Sequence, residues 1–178
     1  ITNTAANLID ASPVSALRSS IGETSRPLNM AKEALDKSIG FVSDGNGYYE
    51  DGSYIDHGNL AYTGGYGSTL LGGIEKLLFI VDGSPWEVAD DKLTSIFQWI
   101  WTGIRPLYAD GAMMDMTTGR GIARPSTNDQ TVGRGLLKPV SHLADIAPAD
   151  EREAFRAFAK TEIQAGLEYN EDFFLGMT

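Results

Sequence analysis

Two histidines in 178 residues narrow the places where imidazole chemistry can occur. One of them, His57, lies in GSYIDHGNLAYTGGYG, residues 52–67, together with Tyr54, Tyr62 and Tyr66. Histidine titrates near neutrality and can move a proton at working pH. A phenol with an unperturbed pKa of about 10 becomes a base only when a cation or a hydrogen-bond donor stabilises its phenolate. An imidazole close to Tyr66 could do that. Gly58, Gly64, Gly65 and Gly67 let the backbone turn sharply and let a ligand approach closely. The competing reading is a hydrogen-bonded histidine in a tight loop with half-buried aromatic neighbours.

A second stretch, MDMTTGRGIARPS, places Arg120 and Arg124 in a glycine-punctuated loop. Guanidinium groups bind carboxylate or sulfate through two parallel hydrogen bonds. Alternatively these are surface arginines paired with Asp110 or Asp115. The segment GRGIAR fails the dinucleotide-binding glycine pattern because it ends in arginine. The acidic cluster Asp44, Glu50, Asp51 and Asp56 fails as a calcium loop. Counting from Asp44, Tyr49 and Ile55 stand where glycine and glutamate are required. It reads as a run of solvated turns. Asn7 by itself reads as a helix cap, His142 as a structural histidine within a helix, and Trp99 and Trp101 as core.

Helices must position these groups. Apolar residues recur three or four apart over Arg26–Val42, Ser68–Val81 and Asp90–Ile104, each giving one buried stripe. Ser25 is placed as the cap of the first of these, with Pro27 in its first turn. Further helices are predicted over Pro13–Ile21, Val132–Ala147 and Pro148–Tyr169. Between them, Ser43–Gly67 and Asp110–Gly135 read as long loops, a length usually retained for function. Strand signals are weak. The fold expected is all-α, built of helical hairpins with long functional loops. The chain is long enough for one domain with a core, and no apolar run approaches the roughly 20 residues that cross a bilayer. The absence of cysteine excludes disulfides and thiolate chemistry. A net charge of −10 disfavours nucleic acid and acidic membranes as partners.

At this point DGSYIDHGNLAYTGGYG resembles the signature of polysaccharide lyase family 8, the hyaluronate, chondroitin AC and xanthan lyases, which runs roughly DGSFxxHTNxAYTGAYG. MDMTTGRGIAR resembles the family's MDMxRGRxISR, and AANLID its GANRxD. Departures fall at Gly58, Gly65, Ala5 and Leu8. The motifs occur in the family's order, and the resemblance spans nearly the whole chain. It implies an incomplete α/α toroid as one α-helical catalytic-domain fragment over 1–178, without the upstream helices and downstream β-domains.

The resemblance also implies roles. Asn7, His57, Tyr66 and Arg120 match catalytic positions, and Arg124 and Asn59 fall to substrate binding. The implied activity is cleavage of a uronate-containing glycan by β-elimination, with Asn7 neutralising the carboxylate and Tyr66 or His57 as base. No cofactor or metal is implied. The implied partner is an acidic polysaccharide, met by a secreted, extracellular monomer. The alternative is a non-catalytic module binding acidic polysaccharide on the same scaffold, and a hydrolase would need two opposed carboxylates that nothing in the sequence marks.

Overall fold

A computed structural model describes residues 5–22 and 24–167. Seven α-helices carry the fold among these residues: α1 (Ala5–Asp10), α2 (Ser12–Gly22), α3 (Arg26–Ser38), α4 (Ser68–Val81), α5 (Asp90–Gln98), α6 (Asp129–Ile146) and α7 (Arg152–Leu167). Neighbouring helices form hairpins, α2 with α3 and α6 with α7, while α4 runs through the middle and touches α1, α2, α3 and α6. The reason is the breadth of its apolar face. Leu70, Leu71, Ile74, Leu77, Leu78 and Val81 are all buried, the set expected from their spacing. The all-α expectation of helical hairpins joined by long segments holds.

Boundaries differ where local chemistry decides them. Helix α6 begins at Asp129 because the Asn128 side chain accepts the Thr131 amide at 2.8 Å and satisfies one of the free first-turn donors. At α3, Ser25 occupies the cap position but its side chain makes no cap bond; its carbonyl accepts the Asn29 amide instead. The stripe expected to continue as one helix to Ile104 changes at Trp99 into a π-helical stretch, Trp99–Ile104. The predicted last helix begins later, at Arg152, and its proposed end at Tyr169 lies outside the described residues. Asn7 is not a cap but lies inside α1.

The stretch read as the loop Ser43–Gly67 is a small antiparallel meander: β1 (Gly47–Tyr48), β2 (Tyr54–Asp56) and β3 (Leu60–Ala61), followed by a π-helical turn over Thr63–Gly67 that leads into α4. A second ribbon pairs β4 (Tyr108–Ala109) with β5 (Ala112–Met113). The meander is fixed to the helical core by an aromatic ladder. Trp99 is fully buried and stacks on Tyr48 at 4.6 Å, and Tyr48 meets Tyr54 edge-on at 4.9 Å. Backbone contact completes the attachment: a Cβ on Gly52 would run into the Thr102 carbonyl, and one on Gly103 into the Gly52 carbonyl. Only glycine at both positions lets the β1–β2 turn lie against the π-helical stretch. No helix among the described residues is long and apolar enough to cross a membrane.

Candidate functional site

The ladder from the core ends on the imidazole. Tyr54 and Asp56 lie on one face of β2, two residues apart. The Tyr54 hydroxyl donates to Asp56 Oδ2 at 3.0 Å, and the Ala6 amide at the start of α1 lies close to that same hydroxyl. Asp56 is 2% exposed. Its Oδ1 accepts both the His57 amide and His57 Nδ1, each at 2.8 Å. A carboxylate only accepts, so Nδ1 carries the hydrogen and Nε2 is the nitrogen left toward solvent. Burial first, and then the charge of Asp56, pushes the Tyr54 phenol well above its ordinary value, so Tyr54 stays a neutral donor. The reading of Asp56 as part of a solvated acidic turn is therefore corrected. Asp51, which bonds Ser53 at the surface, does fit that reading.

Register explains why His57 protrudes. Asp56 pairs with Leu60, so His57, Gly58 and Asn59 form the hairpin loop. His57 has φ +51° and Gly58 φ +93°, the left-handed region that a non-glycine residue enters at a cost of about 1 kcal/mol or more. The two bonds from Asp56 to its own neighbour offset that strain. Asn59 is exposed at the same loop.

The π-helical turn brings the phenols to the imidazole. His57 packs on Tyr66 with ring centroids 4.8 Å apart and on Tyr62 at 5.6 Å, and Tyr62 meets Tyr66 edge-on at 5.1 Å. Tyr62 is buried, and its hydroxyl accepts the Arg120 amide at 3.1 Å. Gly119, at φ +54°, lies flat against the Tyr62 ring, where a Cβ would collide. That contact turns the loop so that Arg120 Nη2 donates to the Tyr66 hydroxyl in a long bond of 3.4 Å. Among the described residues neither Arg120 nor Arg124 pairs with Asp110 or Asp115. Both arginines line one cleft of about 620 Å³ with Tyr62 and Tyr66. His57, Tyr66 and Arg120 are thus brought together.

Asn7 is exposed on α1, the helix whose Ala6 amide lies close to the Tyr54 hydroxyl, and its carboxamide makes no hydrogen bond among the described residues. His142 lies apart from this cluster. Its Nδ1 bonds Glu75 Oε1 at 2.6 Å and pins α6 to α4, in keeping with a structural role. Sequence reasoning missed Asp56 and Tyr62. The signals available were the i, i+2 pairing of Tyr54 with Asp56 and the position of Tyr62 beside the glycine-rich turn.

A mostly helical domain whose cleft holds Tyr66, Arg120 and Arg124, with His57 packed on Tyr66, defines the class. The chain belongs to polysaccharide lyase family 8: residues 1–161 match the family's N-terminal alpha-helical domain. It is 40% identical over 124 residues to the xanthan lyase of Bacillus sp. (strain GL1), covering 70% of this chain and 13% of that protein. With the hyaluronate lyase of Thermasporomyces composti it shares 32% over 147 residues, 83% of this chain and 19% of the relative. The structure of a Paenibacillus xanthan lyase superposes with a TM-score of 0.89 at 31% identity, covering 98% of this chain and 16% of that one. A Streptomyces coelicolor A3 chondroitin AC lyase in complex with chondroitin sulphate gives 0.81 at 32%, covering 85% and 22%. The chain thus spans less than a quarter of the length of these relatives.

Proposed function

We propose that this chain is the catalytic-site-bearing part of a lyase that cuts a uronate-containing polysaccharide by β-elimination. What supports the reading is the convergence of His57, Tyr66 and Arg120 at one end of a cationic cleft, on a scaffold similar to named polysaccharide lyases.

The difficult step is removal of the C5 proton of a uronic acid, because the resulting carbanion lies beside a carboxylate. Asn7, whose amide is unengaged, would donate to that carboxylate as charge builds. One such preorganised donor is worth about 3 kcal/mol in the transition state. Tyr66 would take the C5 proton and return a proton to the bridging oxygen at C4, and the C4–O bond would break as the 4,5-double bond forms. One residue serving as base and then acid must lie on the face shared by both atoms. Arg120 donates to the phenolic oxygen, so negative charge there has a cation beside it. His57, its Nδ1–H held by Asp56, packs on the Tyr66 ring and keeps Nε2 as the nitrogen that Asp56 does not engage. Arg124 and Asn59 would contact the sugars on either side. A polymer substrate places this chemistry outside the cell.

The test uses the 178-residue chain and any longer natural chain that carries it. Each is incubated with hyaluronan, chondroitin and xanthan, and the ultraviolet absorbance of the unsaturated uronate is followed. A rise with one of these polymers is the expected result. Binding without that product would leave a polysaccharide-binding module rather than a lyase, and neither binding nor product would overturn the reading.

A further inference from the structure

The cleft does not stop at Tyr66. It runs along α4 past Thr69 and Gly72 to Lys76, and Thr131 and Gly135 of α6 line the same space. Thr69, Gly72 and Lys76 are spaced three and four apart, so they form one stripe along α4. From Ser68 to Lys76 the helix rises about 12 Å. The cleft volume of about 620 Å³ falls among those of ligand sites, roughly 300–1,000 Å³.

Two glycines in this cleft have no packing reason to be glycine. Their sequence neighbours do: a Cβ on Gly73 would run into Ile9, and one on Gly133 into the Gly111 carbonyl. Among the described residues a Cβ on Gly72 or on Gly135 meets nothing within 4 Å, and neither residue has a left-handed backbone. Glycine is among the poorest residues for a helix interior. Both helices therefore give up stability at positions that face the same open space. What the missing Cβ atoms do provide is a floor at backbone level. Charge agrees. Lys76 makes no ion pair among the described residues, and it shares the cleft with Arg120 and Arg124 against the single carboxylate of Asp10. The cleft is thus net cationic on a chain of net charge −10.

We propose that Gly72, Gly135 and Lys76 form an extended subsite. The sugar beyond the one at Tyr66 lies flat on the glycine floor and sets its anionic substituent, carboxylate or sulfate, on the Lys76 ammonium. The assignment rests on the polysaccharide reading given above and adds to it the residues that select an acidic group away from the reacting sugar.

Calorimetric titration tests this with hexasaccharides of hyaluronan, which carry carboxylate alone, of chondroitin sulfate, which carry both groups, and with a xanthan-derived oligosaccharide. Lys76→Ala should weaken the bound oligosaccharide about tenfold at low salt, and the difference should shrink as salt is raised. Loss confined to the sulfated ligand assigns Lys76 to sulfate, and equal loss with hyaluronan assigns it to carboxylate. Gly72→Ala and Gly135→Ala should each raise the melting temperature by about 2–4 °C and yet weaken the same ligand about fivefold or more. A folding defect cannot produce that opposed pair of changes. Wild-type affinity in the glycine variants or in Lys76→Ala overturns the subsite while leaving the lyase reading intact. A lowered melting temperature in the glycine variants overturns the open floor. If the unsubstituted chain binds none of the three ligands, the polysaccharide reading itself falls, and the subsite with it.

Discussion

Truncating Asp56 to alanine removes, in one step, the acceptor of the Tyr54 hydroxyl, the His57 amide and His57 Nδ1. The Tyr54 bond is buried, and a hydrogen bond to a charged group contributes about 1.5–3 kcal/mol. The other two lie beside a His57 side chain that is 41% exposed, where water replaces them, so together they add about 1 kcal/mol. The expected loss is about 3 kcal/mol, a large part of the 5–15 kcal/mol that holds an ordinary domain together. Urea unfolding followed by tryptophan fluorescence reads it, since Trp99 stands in the same ladder. Tyr54→Phe and the double variant complete a cycle, with a coupling of about 1 kcal/mol or more between the two sites. A loss below about 0.5 kcal/mol with additive single effects would mean that the carboxylate is solvated and does not hold the imidazole.

Other consequences follow from the same geometry. Gly119→Ala drives a Cβ into the Tyr62 ring at a left-handed backbone position, so a loss of about 2 kcal/mol or more is expected. An unchanged melting temperature would contradict that packing. At Asp36, burial raises the carboxyl but hydrogen bonds and charge from Lys32 and Lys92 outweigh it and hold the group below the ordinary aspartate value. The stabilising form is the carboxylate. Asp36→Asn should therefore cost stability at neutral pH, and the gap should close as pH falls through and below about 3.9. The Asp36 side chain is 37% exposed, so screening limits the neutral-pH loss to about 0.5 kcal/mol. For the proposed β-elimination, Asn7→Ala should lower turnover more than it raises the Michaelis constant, because charge on a uronate would peak in the transition state. An effect on the Michaelis constant alone would make Asn7 a docking group.

The helical frame was legible because burial follows periodicity: every apolar residue of the α4 stripe lies inside. The change at Trp99 was not legible. It follows from Gly103 meeting Gly52, a contact between segments far apart in sequence. The meander stayed hidden for a related reason, since strands of two and three residues are too short for alternation to register. His57, Tyr66 and Arg120 stood out by residue type and by resemblance. Asp56 did not, because its Asp- and Gly-rich surroundings look like solvent-exposed turn until β2 turns its carboxylate inward beneath Tyr54. Lys76 and the two unpacked glycines became visible only when α4 and α6 were seen to share a cleft.

Everything proposed about turnover depends on the phenolic oxygen that Arg120 contacts. Tyr66→Phe removes that single atom and keeps the ring packing with His57 and Tyr62. The most direct measurement is the rate of unsaturated-uronate formation by Tyr66→Phe, in the longest natural chain that carries this domain, beside calorimetric binding of the same polymer. The account predicts that product formation disappears into background while binding is retained to within about threefold. Near-normal product formation by Tyr66→Phe would contradict it and return the proton transfer to His57 or to a group outside these residues.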